Sequence, residues 1–286
     1  MSAGHRAWGF EFEFNSDDAM LAEAVAYCFG DLPSCQDAAA SFQVATRHVA
    51  GRVVYDLALR GPDGAARSCG EGIGRDKVLT LLAWEVNGRA RASRGDATVL
   101  HAAVIGGTGG AVAVCGQSCS GKSTLAAAAA RRGWTHLSDD LALVALHPAG
   151  SAAAPPYVVH PYARPLMVRA ASRNLVEVPA PPPGLEEFFT DDVFVPASAL
   201  GAHLVADPQP LRALVFLDPA GGGAPGGTVS RADTLYRLTM HSATLQHRGA
   251  DGFDDLRRLA EAVPGRTLHR SELDSMLAEL APLVGH

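Results

Sequence analysis

The stretch GQSCSGKSTL, Gly116 to Leu125, constrains this chain more than any other. It fits G-x-x-x-x-G-K-[ST], with Gly116, Gly121, Lys122 and Ser123 in the defining places. The chain has only two lysines, Lys77 and Lys122, so a motif that demands lysine is hard to meet by accident. Such a loop works only between a buried strand and the start of a helix, because its amides and the helix N-terminus must together aim positive dipoles at a phosphate. AVAVC, Ala111 to Cys115, is an apolar run of strand length entered through the glycines of GGTGG. Downstream, KSTLAAAAARRG reads as a helix, alanine-rich, with Arg131 and Arg132 in its last turn and Gly133 as its stop. The expected phosphate-binding residues are Gly116, Ser118, Ser120, Gly121, Lys122, Ser123 and Thr124.

A phosphate loop does not name a reaction. A carboxylate to hold magnesium and a group to activate or orient the nucleophile must also be found. Asp139 and Asp140 in THLSDDLALV end the first strand-like run after the loop helix. That helix rises about 16 Å, enough to bring the returning strand beside the loop strand. Strand C-termini in parallel sheets face the ligand crevice, so the pair is expected to face the phosphates. Two adjacent carboxylates can divide labour, one on Mg²⁺ and one accepting a hydroxyl proton. Asp218, ending ALVFLD, is a second Walker-B-like candidate, standing alone before Pro219 and a glycine loop. The guanine-reading N-K-x-D and the transporter L-S-G-G-Q are both absent. Arg164 and Arg169 in HPYARPLMVR are candidate substrate-phosphate ligands, while LYRLTMHS, with Arg237 and His241, reads as a packing helix.

The rest of the chain sets the frame. Residues 1–95 read as an α+β docking or assembly domain. AWGFEFEFN alternates with Trp8, Phe10, Phe12 and Phe14 on one face, and a helix capped by Ser16 or Asp17 ends at Gly30. A hairpin, SFQVATRHV with GRVVYDLALRG, turns at PDG and precedes the helix DKVLTLLAWEVNGRA. Residues 96–286 read as the catalytic domain, from the strand TVLHAAVIGG to a terminal helix SELDSMLAELAPLVG, with PAPPPG and GGGAPGG as loops. The fold class expected is α/β. A net charge of −6 speaks against generic binding to nucleic acid or anionic membrane, and no apolar run is long enough to span a bilayer. Five cysteines without a C-x-x-C pair, and no signal-peptide pattern, fit a reduced, cytoplasmic setting. Cys119 lies in the loop itself and reads as a spacer.

The stretch Leu100 to Val144 resembles the catalytic core of HPr kinase/phosphorylase, with a strand ending in His101, the phosphate loop, an Arg-Gly helix end and the paired aspartates at the family's spacing. The resemblance implies the P-loop core of the HPr kinase/phosphoenolpyruvate carboxykinase type and a homo-oligomer. It also implies that Lys122 contacts the β- and γ-phosphates of ATP and that Ser123 holds Mg²⁺ with Asp140. Asp139 would act as base and His101 would orient the carboxylates. The family's E-I-R-G-x-G stretch is missing, and RNLVEVPAPPPG stands there instead, so the reverse phosphorylase activity is not expected. The layout is closer to stand-alone HPr-kinase-like proteins of lasso-peptide-type pathways. The expected activity is ATP-dependent phosphorylation of a serine-like hydroxyl on a peptide, protein or small metabolite. The competing expectation is a regulatory or assembly NTPase with no dedicated acceptor.

Overall fold

The computed structural model describes residues 4–147, 156–218 and 226–286. The chain folds into two compact units, one of residues 1–94 with 164–196 and one of residues 95–163 with 197–286. Both are mixed α/β.

In the first unit, β1 (Gly4–Ala7), β2 (Phe10–Ser16), β3 (Ser34–Cys35), β4 (Ala40–Val49), β5 (Arg52–Arg60) and β6 (Ala66–Gly74) form one sheet, in the order β3-β1-β2-β4-β5-β6. Helix α1 (Ala19–Phe29) carries the chain from β2 to the parallel strand β4, and α2 (Arg75–Ala92) follows β6. Alternation along the strands decides the core. Phe12 and Phe42 point inward with no exposure and meet edge to face, as do Phe12 and Phe29. The expected β4–β5 hairpin forms in full register, from Ser41 opposite Arg60 to Val49 opposite Arg52. Two expectations shift. Trp8 lies in the β1–β2 turn with φ 53°, so it leaves the aromatic stripe that Phe12 and Phe14 keep. Helix α1 is capped by Asp18, whose carboxylate accepts from the Met20 and Leu21 amides, one residue later than expected.

The second unit starts with β7 (Thr98–Leu100), β8 (Ala102–Gly107), β9 (Gly110–Cys115), α3 (Lys122–Arg131), β10 (Thr135–Ser138), β11 (Ala142–Leu146) and β12 (Tyr157–His160). The chain then leaves it. β13 (Leu166–Arg169) and β14 (Asp192–Val195) pair with each other inside the first unit. There Arg75 pairs with Glu187 and lies over the Phe188 ring, and Lys77 pairs with Asp191 at 2.9 Å. The second unit is therefore not one uninterrupted run from 96 to 286. A sequence window cannot see that residues 164–196 find their partners about a hundred positions earlier.

The second unit is completed by β15 (His203–Leu204), β16 (Gln209–Asp218), β17 (Thr228–Val229), α4 (Arg231–His241), α5 (Leu245–Ala262), β18 (Gly265–His269) and α6 (Leu273–Val284). Its sheet runs β15-β10-β8-β9-β16-β12-β11-β7, with β18 also paired to β16. The central pair β9–β16 is parallel, and β8–β9 is an antiparallel hairpin. Leu238 of α4 and Leu256 and Leu259 of α5 close over sheet residues such as Leu100, Val159 and Phe216. Helix α3 buries Ala126 through Ala130. Alanine on every side costs little helix propensity and lets the helix press closely on its neighbours. The helix ends as read from sequence, with Gly133 at φ 74° after the Arg132 cap. Strand β10 does not run beside β9, because the antiparallel β8 lies between them. It still runs parallel to β9, so its C-terminal end opens on the same edge as the phosphate loop. Most of GGGAPGG lies outside the described residues. No described helix is long and apolar enough to cross a membrane.

Candidate functional site

The loop between β9 and α3 has the backbone its sequence demands. Gly121 sits at φ 106°, which a side chain rarely adopts. A Cβ on Gly116 would lie 2.6 Å from the Ser120 hydroxyl, so that position is closed to larger residues. No side chain caps the start of α3, which leaves its first amides available to an anion. Ser120 Oγ is buried and has no hydrogen-bond partner. A buried hydroxyl with nothing to bond is costly, and a phosphate oxygen in the loop is the group that would satisfy it. Ser118 is exposed and Thr124 half-buried, both on the same loop and helix start. The cradle fits a nucleotide phosphate.

Lys122 is buried, with Nζ donating to the carbonyls of Gly116 at 2.7 Å and Gln117 at 2.9 Å. Burial lowers its pKa, and the carboxylates of Asp139 and Asp140 pull it back up. The two aspartates have different neighbours. Asp139 is 1% exposed, and its Oδ1 accepts from Ser123 Oγ at 3.0 Å. Asp140 is half-exposed, and its Oδ1 lies 2.9 Å from His101 Nδ1. Its backbone is left-handed, at φ 75°.

The sheet explains why these residues meet. What reads in sequence as one strand, TVLHAAVIGG, is two, broken at His101. On the facing chain, β10 and β11 are broken at Asp139–Leu141, where Ser138 Oγ donates to the Leu141 carbonyl at 2.6 Å. Because β8 pairs with β10 and β7 with β11, the two breaks face each other. The Ala102 amide donates to the Asp140 carbonyl at 3.1 Å across the gap.

The end of α4 supplies what the sequence reading missed. The His101 amide donates to the His241 carbonyl at 2.7 Å, and Leu100 bridges Ser242. Burial pushes the His241 imidazole down to about 4, helped by the charges of His101, Lys122 and Arg237. The Arg237 guanidinium lies 5.5 Å from the centre of the Phe216 ring, on which His241 also stacks. Arg237 and His241 pack on Phe216, as read from sequence, and the His241 carbonyl also joins this neutral imidazole to the His101 backbone. Their i,i+4 spacing on one helix face was the available signal.

Asp218 ends β16 beside the loop strand, where Phe216 pairs with Cys115, but the carboxylates acting on Lys122 are Asp139 and Asp140. Arg164 is buried and Arg169 ends β13, and both belong to the first unit, so the structure does not gather them with the loop in one unit. Among the described residues, no three His, Cys, Asp or Glu side chains group as a metal site. The Ser123 hydroxyl on the Asp139 carboxylate is a donor set that suits Mg²⁺, which is commonly held by one or two carboxylates together with phosphate oxygens.

No protein-family model matches the chain, and no curated protein does. Among solved structures it is similar to the Hpr(Ser) kinase/phosphatase from Coxiella burnetii, at 14% identity over 64% of this chain and 93% of that one. The TM-score is 0.36, a distant likeness to which no residue role is tied.

Proposed function

We propose that the chain is an ATP-dependent, Mg²⁺-requiring kinase that phosphorylates a serine-like hydroxyl of a peptide, protein or small metabolite. The observation that carries this reading is the division of the aspartates beside a phosphate loop, Asp139 against Ser123 and Asp140 against His101.

A loop serine hydrogen-bonded to a buried carboxylate is the pair that P-loop enzymes use to hold magnesium. A half-exposed carboxylate oriented by histidine suits a base that must meet an incoming hydroxyl. These contacts favour Asp139 and Ser123 as the Mg²⁺ ligands and Asp140 as the base, the reverse of the assignment drawn from sequence. Mg²⁺, when bound, would draw charge from the β- and γ-phosphate oxygens. Lys122 would leave its loop carbonyls for those oxygens, and the loop amides would bind them from the other side. The acceptor oxygen attacks the γ-phosphorus, the bond to the β-bridging oxygen breaks, ADP leaves, and the hydroxyl proton passes to the Asp140 carboxylate. Arg237, whose guanidinium lies over the Phe216 ring near the end of the strand beside the loop strand, would offset phosphoryl charge.

The test is phosphoryl transfer from γ-labelled ATP with Mg²⁺ to a panel of peptides and hydroxyl metabolites, with Lys122→Ala and Asp140→Asn alongside. Label on one acceptor, lost in both variants, is the expected result. ATP binding with only slow, acceptor-independent phosphate release would overturn the kinase reading in favour of a regulatory NTPase.

A further inference from the structure

The six-stranded sheet of the first unit has two faces of different character. Phe12, Phe42, Tyr55 and Leu57 fill one of them and are buried. The opposite side of the same strands carries Glu13, Asn15, Ser41, Gln43, Ala45 and Ala58, the alternation that a strand period of two requires. This polar face is hollow. Strand β5 loses register with β6 at Tyr55–Leu57 and again at Leu57–Ala58, and Gly72, at φ 64°, donates its amide to Asp56 Oδ1 at 2.8 Å. Irregularities of this kind bend and twist a sheet locally. The resulting concavity measures about 600 Å³, a size typical of ligand sites.

Its chemistry is one-sided. Ala45, Ala58, Ser68 and Gly70 make a floor of small side chains, while Asp17, Asp56 and Glu71 stand in the lining, which contains no lysine, arginine or histidine. Arg47 answers Asp56 from outside the lining. The amides spend donors within the sheet, Asn15 Nδ2 on Glu13 at 3.1 Å and Ser41 at 2.9 Å, and Gln43 Nε2 on Ser41 at 2.6 Å. Thr46 donates its amide and hydroxyl to the two Asp17 oxygens and Arg47 takes both Asp56 oxygens, so the face offers a ligand the Asn15 and Gln43 carbonyls, the exposed Glu71 carboxylate and a net negative charge around them. Amide carbonyls suit backbone N–H groups, and the carboxylates suit cationic side chains.

We propose that this open sheet face is a docking groove for an extended, lysine- or arginine-bearing segment of a partner polypeptide. It is a binding function separate from the phosphate site, and it stands or falls independently of the kinase reading.

The experiment is fluorescence anisotropy on the full chain, without nucleotide, using a fluorescein-labelled octapeptide of alternating lysine and serine and its glutamate–serine counterpart. The lysine peptide binds and the glutamate peptide does not. Glu71→Lys reverses a carboxylate in the lining, and Ala45→Tyr fills the floor from an exposed strand position that favours aromatic residues. Each weakens binding about tenfold or more. Asp251→Lys makes the same change in net charge at an exposed position of the other unit and leaves binding unchanged. Far-UV circular dichroism of each variant separates lost binding from lost fold. Equal weakening by Asp251→Lys reduces the effect to overall charge and overturns the proposal. So does indifference to both groove variants, or displacement of the peptide by free spermine at matched amine concentration.

Discussion

Asp140 ties backbone cost to chemistry, so substitutions there give a quantitative test. Its φ of 75° lies in the left-handed region, where a non-glycine residue pays about 1–2 kcal/mol and aspartate or asparagine pay less than alanine. Asp140→Gly removes that cost but widens the unfolded ensemble, at about 0.5–1 kcal/mol. Asp140→Ala keeps the backbone cost without a local hydrogen-bonding side chain. Both lose the contact to His101 Nδ1, so that loss cancels when they are compared. The glycine variant is expected to be the more stable by about 1 kcal/mol, a midpoint difference of ~2–4 °C in thermal unfolding of a chain this size. Asp140→Asn keeps an acceptor for His101 and tolerates the backbone, so it unfolds close to the parent. All three lose transfer activity by about 10²–10⁴, the usual contribution of a positioned base. ATP binding by the asparagine variant, read by isothermal titration, stays within a few-fold of the parent. Equal midpoints for glycine and alanine would refute the strain argument. Normal turnover by Asp140→Asn, with Asp139→Asn inactive at saturating Mg²⁺, would return the base role to Asp139.

Two further outcomes follow from the same contacts. Asp139→Asn and Ser123→Ala should each raise the Mg²⁺ concentration needed for half-maximal transfer by about tenfold or more, with partial recovery at high Mg²⁺; an unchanged metal requirement would remove both from the magnesium site. His241 titrates at its ordinary 6.5 in the unfolded chain and at about 4 in the fold, so its contribution is intact above pH 6.5 and is lost as pH falls towards 4. The full shift would correspond to ~3 kcal/mol, and the half-buried ring, screened by solvent, brings this to about 1 kcal/mol. Urea unfolding without nucleotide should then show the parent losing about 1 kcal/mol more than His241→Gln between pH 7 and pH 4.5, and parallel pH profiles would contradict the burial of the ring.

The local parts of the site were legible because short-range physics fixes them. A loop that needs Gly116 for contact with Ser120 and Gly121 for its φ of 106° advertises itself in ten residues, and an alanine helix stopped by Gly133 advertises its own end. The pairing of the aspartates was not legible, because adjacency in sequence says nothing about which carboxylate turns towards the loop. That choice is made by the left-handed residue at Asp140, which sends two neighbouring side chains to different partners. His241 was hidden for a related reason. Its link to the site is a backbone carbonyl accepting from the His101 amide, and a main-chain acceptor leaves no mark in side-chain identity. The strand break at His101 was equally invisible, since TVLHAAVIGG has unbroken strand character. Only the opposing break at Asp139–Leu141 gives the interruption its meaning, by turning two ordinary strand ends into one place where a histidine, two carboxylates and a phosphate loop can act together.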